Sequence, residues 1–594
     1  AAREMVSRVT ELLGIDMRRC SAGTFHHIGN RLLRAHAEAI GRSPDFGILD
    51  PEDARTLLAS VVAEQGLASL TARRFPTPKV LQGLIGLSIG TRTPLRQVVE
   101  RHRMRLLDQA MAMEAVAARY QERKRQMNVC DFDDLLSEWL RVLEDPALGA
   151  VRDELRARYD HVLVDEYQDI NALQGALVDS MAAPHQSLCV VGDDAQSIYS
   201  FRGADIGLIT DFERRHPGAK VLKLTINYRS TPQILSLANR AIAHNKRQHR
   251  KELRAVKGAG MVPAEIPLRD VYQQAEFVAQ RVLELHHELD LPLSKMAVLY
   301  RNHSHSLELQ VELTRRQIPF AVRSGLRFFE QAHIKDVVAY LRARQNTRDA
   351  LAWVRLLRLW PGIGAQTAET LAQALADEGD DADPAKLLAQ KASLARGQGR
   401  VALEKLSRLW ETLGDPRVEN PGATIRAIVA AHYGDYAERK FTNADVRKDD
   451  LEQLAGYAER FPDAREFLSE LALLQGLTAE SVTAAGEPDD ALVLSTIHQA
   501  KGLEWPICFV LWLADGRFPM RQSLRQPEDI EEERRLFYVA TTRAADELYL
   551  LHPLIEETRD GPSQFLRASR FLKECDHAPV VFERWQIEEA PAEV

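Results

Sequence analysis

The sequence predicts an α/β protein in which parallel sheets alternate with long, mainly helical segments. Apolar runs of the length expected for buried strands occur at 161–164, 188–191, 221–224, 296–301, 492–494, 507–511 and 548–551. Apolar residues recur at helical spacing between residues 37 and 151 and between residues 347 and 489. The chain has 594 residues, which is too many for a single hydrophobic core and favours about four domains.

The composition is ordinary for a globular protein, with 45% apolar and 27% charged residues. No run approaches about 18 apolar residues and no signal peptide opens the chain, so we expect no membrane span and a cytoplasmic location. The five cysteines lie far apart and form no Cys-x-x-Cys pair. This argues against a zinc site or a disulfide framework and favours a reducing compartment.

The formal net charge is −8, so any surface that binds nucleic acid has to be local. Three basic stretches are candidates: 96–105, 119–125 and 246–257. From charge alone, each of them is better interpreted as the solvated face of a helix.

Local signals also predict individual helix ends and turns. Asp50 followed by Pro51 is typical of a helix start, and the acids at 131–134 are more typical of a helix cap than of a catalytic group. Residues 361–364 (Pro-Gly-Ile-Gly) fit either a phosphate-binding turn between helices or an ordinary tight turn.

Two adjacent carboxylates, Asp165 and Glu166, follow the run at 161–164 where the strand should end. Ligands of open α/β sheets lie outside the carboxyl ends of the strands. Asp165 could therefore hold Mg²⁺ through a water, and Glu166 could orient or deprotonate an attacking water. Without further context, an acidic turn after a core strand would be the better interpretation of this pair.

The context consists of four further stretches in a fixed order. These are 192–205 (GDDAQSIYSFRGAD), 225–230 (TINYRS), 495–504 (STIHQAKGLE) and 538–544 (YVATTRA). Together with 165–169 (DEYQD) they resemble motifs II to VI of the superfamily 1 DNA helicases of the UvrD/Rep/PcrA group. The resemblance covers nearly the whole chain, and five long motifs in this order are far more than chance would give.

The resemblance implies two RecA-like parallel-sheet domains of the P-loop NTPase type, each with a mainly helical insertion. The implied boundaries are 1–36 and 152–225 for domain 1A, 37–151 for insertion 1B, 226–346 and 490–594 for domain 2A, and 347–489 for insertion 2B. In this arrangement ATP would lie between 1A and 2A, single-stranded DNA would cross both, and 484–490 would be the return hinge of 2B.

The resemblance also implies residues that act on ATP and Mg²⁺. Asp165 would bind the metal, Glu166 would activate water, and Gln196 would sense the γ-phosphate. On the 2A side the implied set comprises Tyr228 stacked on adenine, Arg229 and Arg543 at the γ-phosphate, Gly502 near the nucleotide and Glu504 at the ribose. Outside this motif context, the two arginines would be interpreted as members of surface ion pairs.

The implied contacts with single-stranded DNA come from four places: Thr24, Phe25 and His26; Tyr199, Phe201 and Arg202; Thr496 and His498; and Phe565. Three of these sets have a structural alternative. Thr24 could simply cap a helix, Tyr199 and Phe201 could be core aromatics, and Phe565 could be a hydrophobic plug. Phe201 stands where relatives often have Trp.

One element of the family pattern is missing. A P-loop needs the pattern G-x-x-x-x-G-K-[ST], whose backbone amides cradle phosphates and whose Lys neutralises them. No Gly-Lys dipeptide occurs in the 594 residues. We therefore expect that the P-loop segment is absent from this chain, which weighs against ATP hydrolysis by this polypeptide alone.

The expected function is that of an ATP-dependent 3′-to-5′ single-stranded DNA translocase and helicase in DNA repair or replication restart. Its expected partners are single-stranded DNA, single/double-strand junctions and repair or replication proteins, with the chain a monomer or weak dimer. The alternative is a non-hydrolysing single-stranded DNA-binding or regulatory protein derived from such a helicase. The retention of Glu166, Gln196, Arg229 and Arg543 favours the helicase.

Overall fold

Two units make up the fold: unit 1 contains residues 1–220 and 439–442, and unit 2 contains 221–438 and 443–594. The computed structural model describes residues 2–14, 20–67, 75–183, 185–323, 328–377, 383–418, 420–441, 443–468, 471, 490–556, 564–576 and 581–587. The hinge predicted at 484–490 lies, apart from Asp490, outside the described residues. The finer division into inserted subdomains remains a prediction.

Unit 1 is mostly helical. Its helices are α1 (Ala2–Leu13), α2 (Phe25–Ala35), α3 (Pro51–Glu64), α4 (Pro78–Thr91), α5 (Leu95–His102), α6 (Ala110–Gln126), α7 (Phe132–Glu144), α8 (Gly149–Ala157), α9 (Ala172–Ala182), α10 (Gly207–Thr210) and α11 (Phe212–Arg215). Its strands are β1 (Gly47–Ile48), β2 (Val129–Cys130), β3 (Val162–Val164) and β4 (Leu188–Val190). The predicted strands at 161–164 and 188–191 and the helical segment after residue 37 are confirmed.

The strands β3 and β4 pair in parallel, with Val162 opposite Leu188 and Val164 opposite Val190. These four side chains lie against a buried cluster that includes Tyr167 and Val178. The intervening side chain of Leu163 points the other way and is 75% exposed, and Val191 just beyond β4 is 52% exposed. Within the described residues, therefore, one face of this small sheet is covered and the other is open.

The start of α7 confirms that the acids at 131–134 cap a helix. Asp131 and Asp134 form a reciprocal capping box. The Nζ of Lys124, which is fully buried, lies 2.6 Å from Asp131 Oδ2 and 2.7 Å from Asp134 Oδ2. The hydroxyl of Tyr120 donates to the same Asp131 oxygen at 2.8 Å. The helix start predicted at Asp50 is also confirmed, since Asp50 Oδ1 accepts the amide of Asp53 at 2.8 Å.

The third acid of this group, Asp133, predicts that the stability of the fold depends on pH. Burial raises the pKa of Asp133 to about 7, Asp131 adds to the rise, and Lys124 opposes it. A carboxyl whose pKa is higher in the folded than in the unfolded chain destabilises the fold as the pH rises between the two values. We therefore expect Asp133→Asn to stabilise the protein more at pH 8 than at pH 5, as measured by urea unfolding.

The exposed Asp160→Asn change is the control for this measurement, because it should shift stability by the same small amount at both pH values. The prediction would be contradicted if the free energies of unfolding of the wild type and of Asp133→Asn changed with pH in parallel.

Unit 2 combines one large sheet with a long helical segment. Its helices are α12 (Pro232–Ile242), α13 (Val271–Glu288), α14 (Leu307–Arg315), α15 (Ala332–Gln345), α16 (Ala350–Leu357), α17 (Ala365–Ala376), α18 (Pro384–Gln390), α19 (Gln398–Leu413), α20 (Pro421–Ile428), α21 (Gly434–Lys440, whose last two residues are assigned to unit 1), α22 (Ala444–Ala458), α23 (Ile497–Ala500), α24 (Pro527–Thr541) and α25 (Arg570–Cys575). Its strands are β5 (Ile226–Asn227), β6 (Arg254–Ala255), β7 (Ala264–Leu268), β8 (Met296–Tyr300), β9 (Phe320–Val322), β10 (Leu492–Thr496), β11 (Trp505–Val510), β12 (Ala544–Pro553), β13 (Ile555–Glu556), β14 (Gln564–Phe565) and β15 (Glu583–Arg584).

Seven of the described strands form one parallel sheet in the order β15-β7-β12-β11-β8-β10-β9. The central strands are buried on both faces, as the continuous apolar sequence of β8 and β11 requires. The predicted strands at 296–301, 492–494, 507–511 and 548–551 are all confirmed. The parallel sheets confirm the predicted α/β fold class.

The apolar run at 221–224 differs from the others. It forms no regular strand, and Leu222 and Leu224 are 87% and 83% exposed. An extended run becomes a strand only where a neighbouring strand accepts its backbone hydrogen bonds. Pairing begins at β5, where Ile226 lies opposite Arg254.

None of the described helices is long and apolar enough to cross a membrane.

The turn at 361–364 connects α16 to α17. Gly362 has φ +78°, and a Cβ there would lie 2.5 Å from the backbone nitrogen of Gly399. Only glycine fits this close approach, so packing accounts for Gly362, and the phosphate contact stays a prediction.

Candidate nucleotide and nucleic-acid sites

The two predicted catalytic carboxylates lie at the carboxyl end of β3. Glu166 takes a left-handed backbone conformation, with φ 51° and ψ 41°, which turns the chain directly after the strand. Its amide donates to Asp165 Oδ1 at 2.9 Å. Both residues are exposed. The turn therefore presents both carboxylates to solvent at the sheet edge where ligands of α/β proteins bind.

A third residue of this stretch, Gln168, is completely buried and joins the two loops of the sheet edge. Its Nε2 donates to Glu166 Oε2, and its Oε1 accepts the amide of Asp193 at 3.0 Å. A Cβ at position 192 would lie 2.6 Å from Gln168 Oε1, so Gly192 is needed for this approach. Gln168 thereby fixes the position of Glu166 relative to the loop after β4.

The predicted phosphate sensor, Gln196, belongs to that same loop. Its Nε2 donates to Asp193 Oδ2 at 2.9 Å, while Asp193 Oδ1 accepts the amide of Ala195 at 3.0 Å. The structure thus connects Glu166 to Gln196 through Gln168 and Asp193. We name Asp165, Glu166, Gln168, Asp193 and Gln196 the carboxylate edge.

The carboxylate edge fits Mg²⁺ rather than a metal held wholly by protein. Among the described residues, no group of three or more His, Cys, Asp or Glu side chains is placed to hold a metal ion. Mg²⁺ usually takes only one or two carboxylates and completes its shell with waters and substrate phosphates. Asp165 supplies hard oxygen donors on an exposed side chain, and within the described residues only one of them accepts a hydrogen bond.

In unit 2 the segment at 227–230 is fixed by its own first residue. Asn227 Oδ1 accepts the amides of Arg229 and Ser230 at 2.9 and 2.8 Å. The buried hydroxyl of Ser230 donates to the carbonyl of Ala544 at 2.7 Å. Tyr228 consequently projects outward and is 76% exposed, so its ring face is open to a ligand.

The two predicted arginines lie near each other, and both are engaged by protein. Arg229 pairs through Nε with Glu504 and donates from Nη1 to the carbonyl of Thr542 at 3.2 Å. Arg543 is 2% exposed and donates to the carbonyls of Leu503 and Val539 at 2.9 and 3.1 Å. Gly502, with φ +82°, lies directly before Leu503 and Glu504. The ion-pair alternative thus describes Arg229, and both guanidinium groups are already engaged by protein acceptors.

The predicted stacking residues of unit 1 form a cluster at the surface. The rings of Tyr199 and Phe201 are 6.0 Å apart in an edge-to-face arrangement, and Arg202 lies 5.3 Å and 5.5 Å from their centroids. Phe201 is 58% exposed, which excludes the core alternative for this residue. An exposed ring beside a guanidinium can stack on a nucleic-acid base.

The segment at 24–26 has a clear structural role. Thr24 is the N-cap of α2, and its side chain accepts the amide of His27 at 3.3 Å. The His26 ring lies 5.6 Å from Phe132, edge to face, and burial lowers the pKa of His26. Phe25 is half-buried. These contacts bear out the capping alternative for Thr24 and leave the DNA contact as a prediction.

The remaining predicted DNA contacts differ in exposure. Thr496 ends β10 and is only 7% exposed, and His498 is half-buried in α23. Phe565 on β14 is 80% exposed and is therefore no buried plug. Of the three basic stretches, 119–125 lies on helix α6. Arg119 and Arg123 form ion pairs with Glu122 and Glu64, as expected for the solvated face of a helix.

Comparison with known proteins places this geometry in context. Residues 1–217 match the UvrD/REP helicase N-terminal domain, and residues 222–380 and 424–552 match the UvrD-like helicase C-terminal domain. Three similar proteins are the ATP-dependent DNA helicase UvrD1 of Mycobacterium tuberculosis (33% identical, over 97% of this chain and 77% of the relative), and the ATP-dependent DNA helicases PcrA of Bacillus subtilis (31%, over 97% and 78%) and Staphylococcus epidermidis (30%, over 97% and 78%).

The parallel sheets, with long helical segments between their strands, give the chain the RecA-like α/β fold. The matches to the UvrD/REP helicase N-terminal domain and the UvrD-like helicase C-terminal domain together cover most of the chain. The chain belongs to the UvrD/REP helicase family.

The role of Gln168 can be tested by a change that keeps its volume. Gln168→Met removes both side-chain hydrogen bonds and leaves the Asp193 amide and the Glu166 carboxylate without this partner. We expect a loss of about 1–3 kcal/mol in the free energy of unfolding, measured in urea. Gln97→Met, the same change at an exposed position of α5, should stay within about 0.5 kcal/mol. Equal stabilities of the two variants would show that Gln168 does not hold the loops together.

Proposed function

We propose that this protein is an ATP-dependent DNA helicase that moves 3′-to-5′ along single-stranded DNA during DNA repair or replication restart. Family membership supports the enzyme class, and the relatives are named ATP-dependent DNA helicases. The observation that carries the proposal is the carboxylate edge, where Gln168 couples Glu166 to the loop of Gln196.

The proposed chemistry assigns one task to each side chain. When bound, ATP supplies the phosphoanhydride, and Mg²⁺ neutralises part of its charge. Asp165 offers the metal a carboxylate oxygen. Glu166 orients the attacking water and takes its proton, while Gln168 keeps that carboxylate in place. Arg229 and Arg543 stabilise the charge that develops on the transferred phosphoryl group.

The exposed aromatic rings support single-stranded DNA as the substrate. Phe201 and Phe565 offer open faces to bases, and stacking contributes roughly 1–3 kcal/mol per base whatever the sequence. Such contacts suit an enzyme that has to move over every sequence it meets. Tyr228 presents the same kind of open face to the adenine of the nucleotide.

A second candidate is a single-stranded DNA-binding or regulatory protein of this family that does not hydrolyse ATP. One specific observation favours it, namely that the guanidinium groups of Arg229 and Arg543 are both engaged by protein acceptors.

The experiment is ATP turnover with and without single-stranded DNA, followed by unwinding of duplexes that carry either a 3′ or a 5′ tail. It is made on this chain and on any longer product of the same reading frame. DNA-stimulated turnover with unwinding of only the 3′-tailed duplex is the expected result. Unwinding from the 5′ tail would contradict the direction, and DNA binding without turnover in either form would favour the second candidate.

A further inference from the structure

A groove with basic walls lies in unit 2, apart from the residues assigned above. One wall is the face of α12 that carries Asn239 and Arg240, and the other is the extended segment at 248–255. The groove has a volume of about 810 Å³. Residues 246–253 are not helical, so the solvated helix face considered from the sequence does not describe this basic stretch.

The charge of the groove is one-sided. Its basic lining residues are Arg240, Arg250, Lys251 and Arg254, and its acidic lining residue is Glu252. Lys246 and Arg247 precede the lining residue Gln248 in the sequence. Arg250 and Arg254 are exposed, and neither forms an ion pair with any residue of the described part of the chain. In a protein with a net charge of −8, this is a local positive field of the kind that attracts polyanions.

The wall that carries these cations is held rigidly. The Asn239 side chain exchanges two hydrogen bonds with the backbone of Leu253, at 2.9 and 3.0 Å. The amide of Arg254 donates to the carbonyl of Thr225 at 2.8 Å, and Lys223 Nζ donates to the carbonyl of Arg250 at 2.8 Å. The backbone positions of Arg250 and Arg254 are therefore fixed before any ligand arrives, which lowers the entropic cost of binding.

The lining of the groove is suited to phosphate groups and not to the stacking of bases. No aromatic residue lies among its lining residues, whose apolar members are aliphatic, such as Leu235 and Leu253. Bases therefore have no ring on which to stack, whereas guanidinium groups bind phosphate oxygens in paired hydrogen bonds.

We propose that this groove binds the phosphodiester backbone of a nucleic acid, as a contact additional to the stacking residues Phe201 and Phe565. The inference rests on the proposed function, since it assumes that the protein engages DNA. Because the contact is made to phosphates, it is independent of sequence and adds to the salt dependence of binding.

The test compares the double variant Arg250→Gln/Arg254→Gln with Arg521→Gln/Arg525→Gln. The control pair is also exposed, lies in the same unit and removes the same charge. Affinity for a labelled oligo(dT) strand and for a blunt duplex of equal length is measured by anisotropy between about 50 and 200 mM salt. Phe201→Ala serves as a stacking control, because it should lower affinity without changing the salt slope.

If the groove binds the backbone, the plot of log association constant against log salt concentration becomes less steep in the variant Arg250→Gln/Arg254→Gln. The magnitude of its slope decreases by about 1.4 for the single strand or about 1.8 for the duplex. Affinity at low salt then drops by about tenfold or more, and the control pair changes neither quantity. The DNA form that shows the change identifies the source of the phosphates. Equal slopes for the groove variant, the control pair and the wild type overturn the inference while the proposed function stands. A wild-type protein that binds neither DNA overturns both.

Circular dichroism and thermal unfolding of each variant exclude loss of the fold. If Arg250→Gln/Arg254→Gln unfolds, the single variants Arg250→Gln and Arg254→Gln replace it. Each should reduce the magnitude of the salt slope by about 0.7 for the single strand or about 0.9 for the duplex, and wild-type slopes in both variants overturn the inference.

Discussion

Replacing Arg229 with glutamine is expected to lower the rate of ATP hydrolysis by about 10³–10⁵-fold, the range measured for arginines that stabilise a transferred phosphoryl group. The structure holds this guanidinium between Glu504 and the carbonyl of Thr542, beside the buried Arg543. Glutamine removes the charge while keeping a polar side chain. The measurement is the kcat for DNA-stimulated turnover in the form of the protein that hydrolyses ATP.

Two comparison variants separate catalysis from the ion pair. Glu504→Gln breaks the pair but retains the charge of Arg229, so its kcat should stay within about tenfold of the wild type. Its KM for ATP should rise, because the family resemblance implies that Glu504 contacts the ribose. Arg525→Gln controls for the loss of one exposed charge in unit 2. If Arg229→Gln and Glu504→Gln reduce kcat equally, Arg229 serves only to hold Glu504.

Glu166→Gln is expected to lower kcat by about 10²–10⁴-fold, because the amide cannot take a proton from the attacking water. Glutamine has nearly the same shape and can still hydrogen-bond to Gln168. Nucleotide and DNA affinities should therefore remain close to those of the wild type. The readout is single-turnover hydrolysis together with DNA binding by anisotropy.

The control for this variant is Glu213→Gln, which removes a negative charge from the exposed face of α11 in the same unit. It should leave hydrolysis unchanged. Turnover by Glu166→Gln within a few-fold of the wild type would show that another group activates the water, and Asp165 would then be the next candidate.

The parts of this fold that the sequence predicts well are those set by local pattern. The strand at 162–164 and the carboxylates after it follow from an apolar run that ends in charge. The helix start at Asp50 and the cap at Asp131 follow from side chains that bond to backbone amides three residues away. None of these inferences needs a distant partner.

What the sequence misses depends on contacts distant along the chain. Gln168 is assigned no role in the sequence interpretation, although it is buried and bonds to an amide 25 positions away. A long amide side chain two residues after Glu166 was the only available signal. The strand-like run at 221–224 stays irregular because, within the described residues, no strand pairs with it. Likewise, the segment at 248–255 is held in place by residues distant from it in sequence, among them Asn239, which bonds to Leu253.

The open face of the strand pair β3–β4 has a consequence for the local stability of the carboxylate edge. Leu163 contributes little burial there, whereas the central strands of the seven-stranded sheet are covered on both faces. Backbone amides in weakly buried sheets open at a lower free energy than those in a closed core. The amides of 162–167 and 190–193 should therefore exchange with deuterium sooner than those of β8 and β11. Any ligand that binds to the carboxylates would slow that exchange. The exchange rate of these amides would therefore show directly whether a ligand is bound at the carboxylate edge.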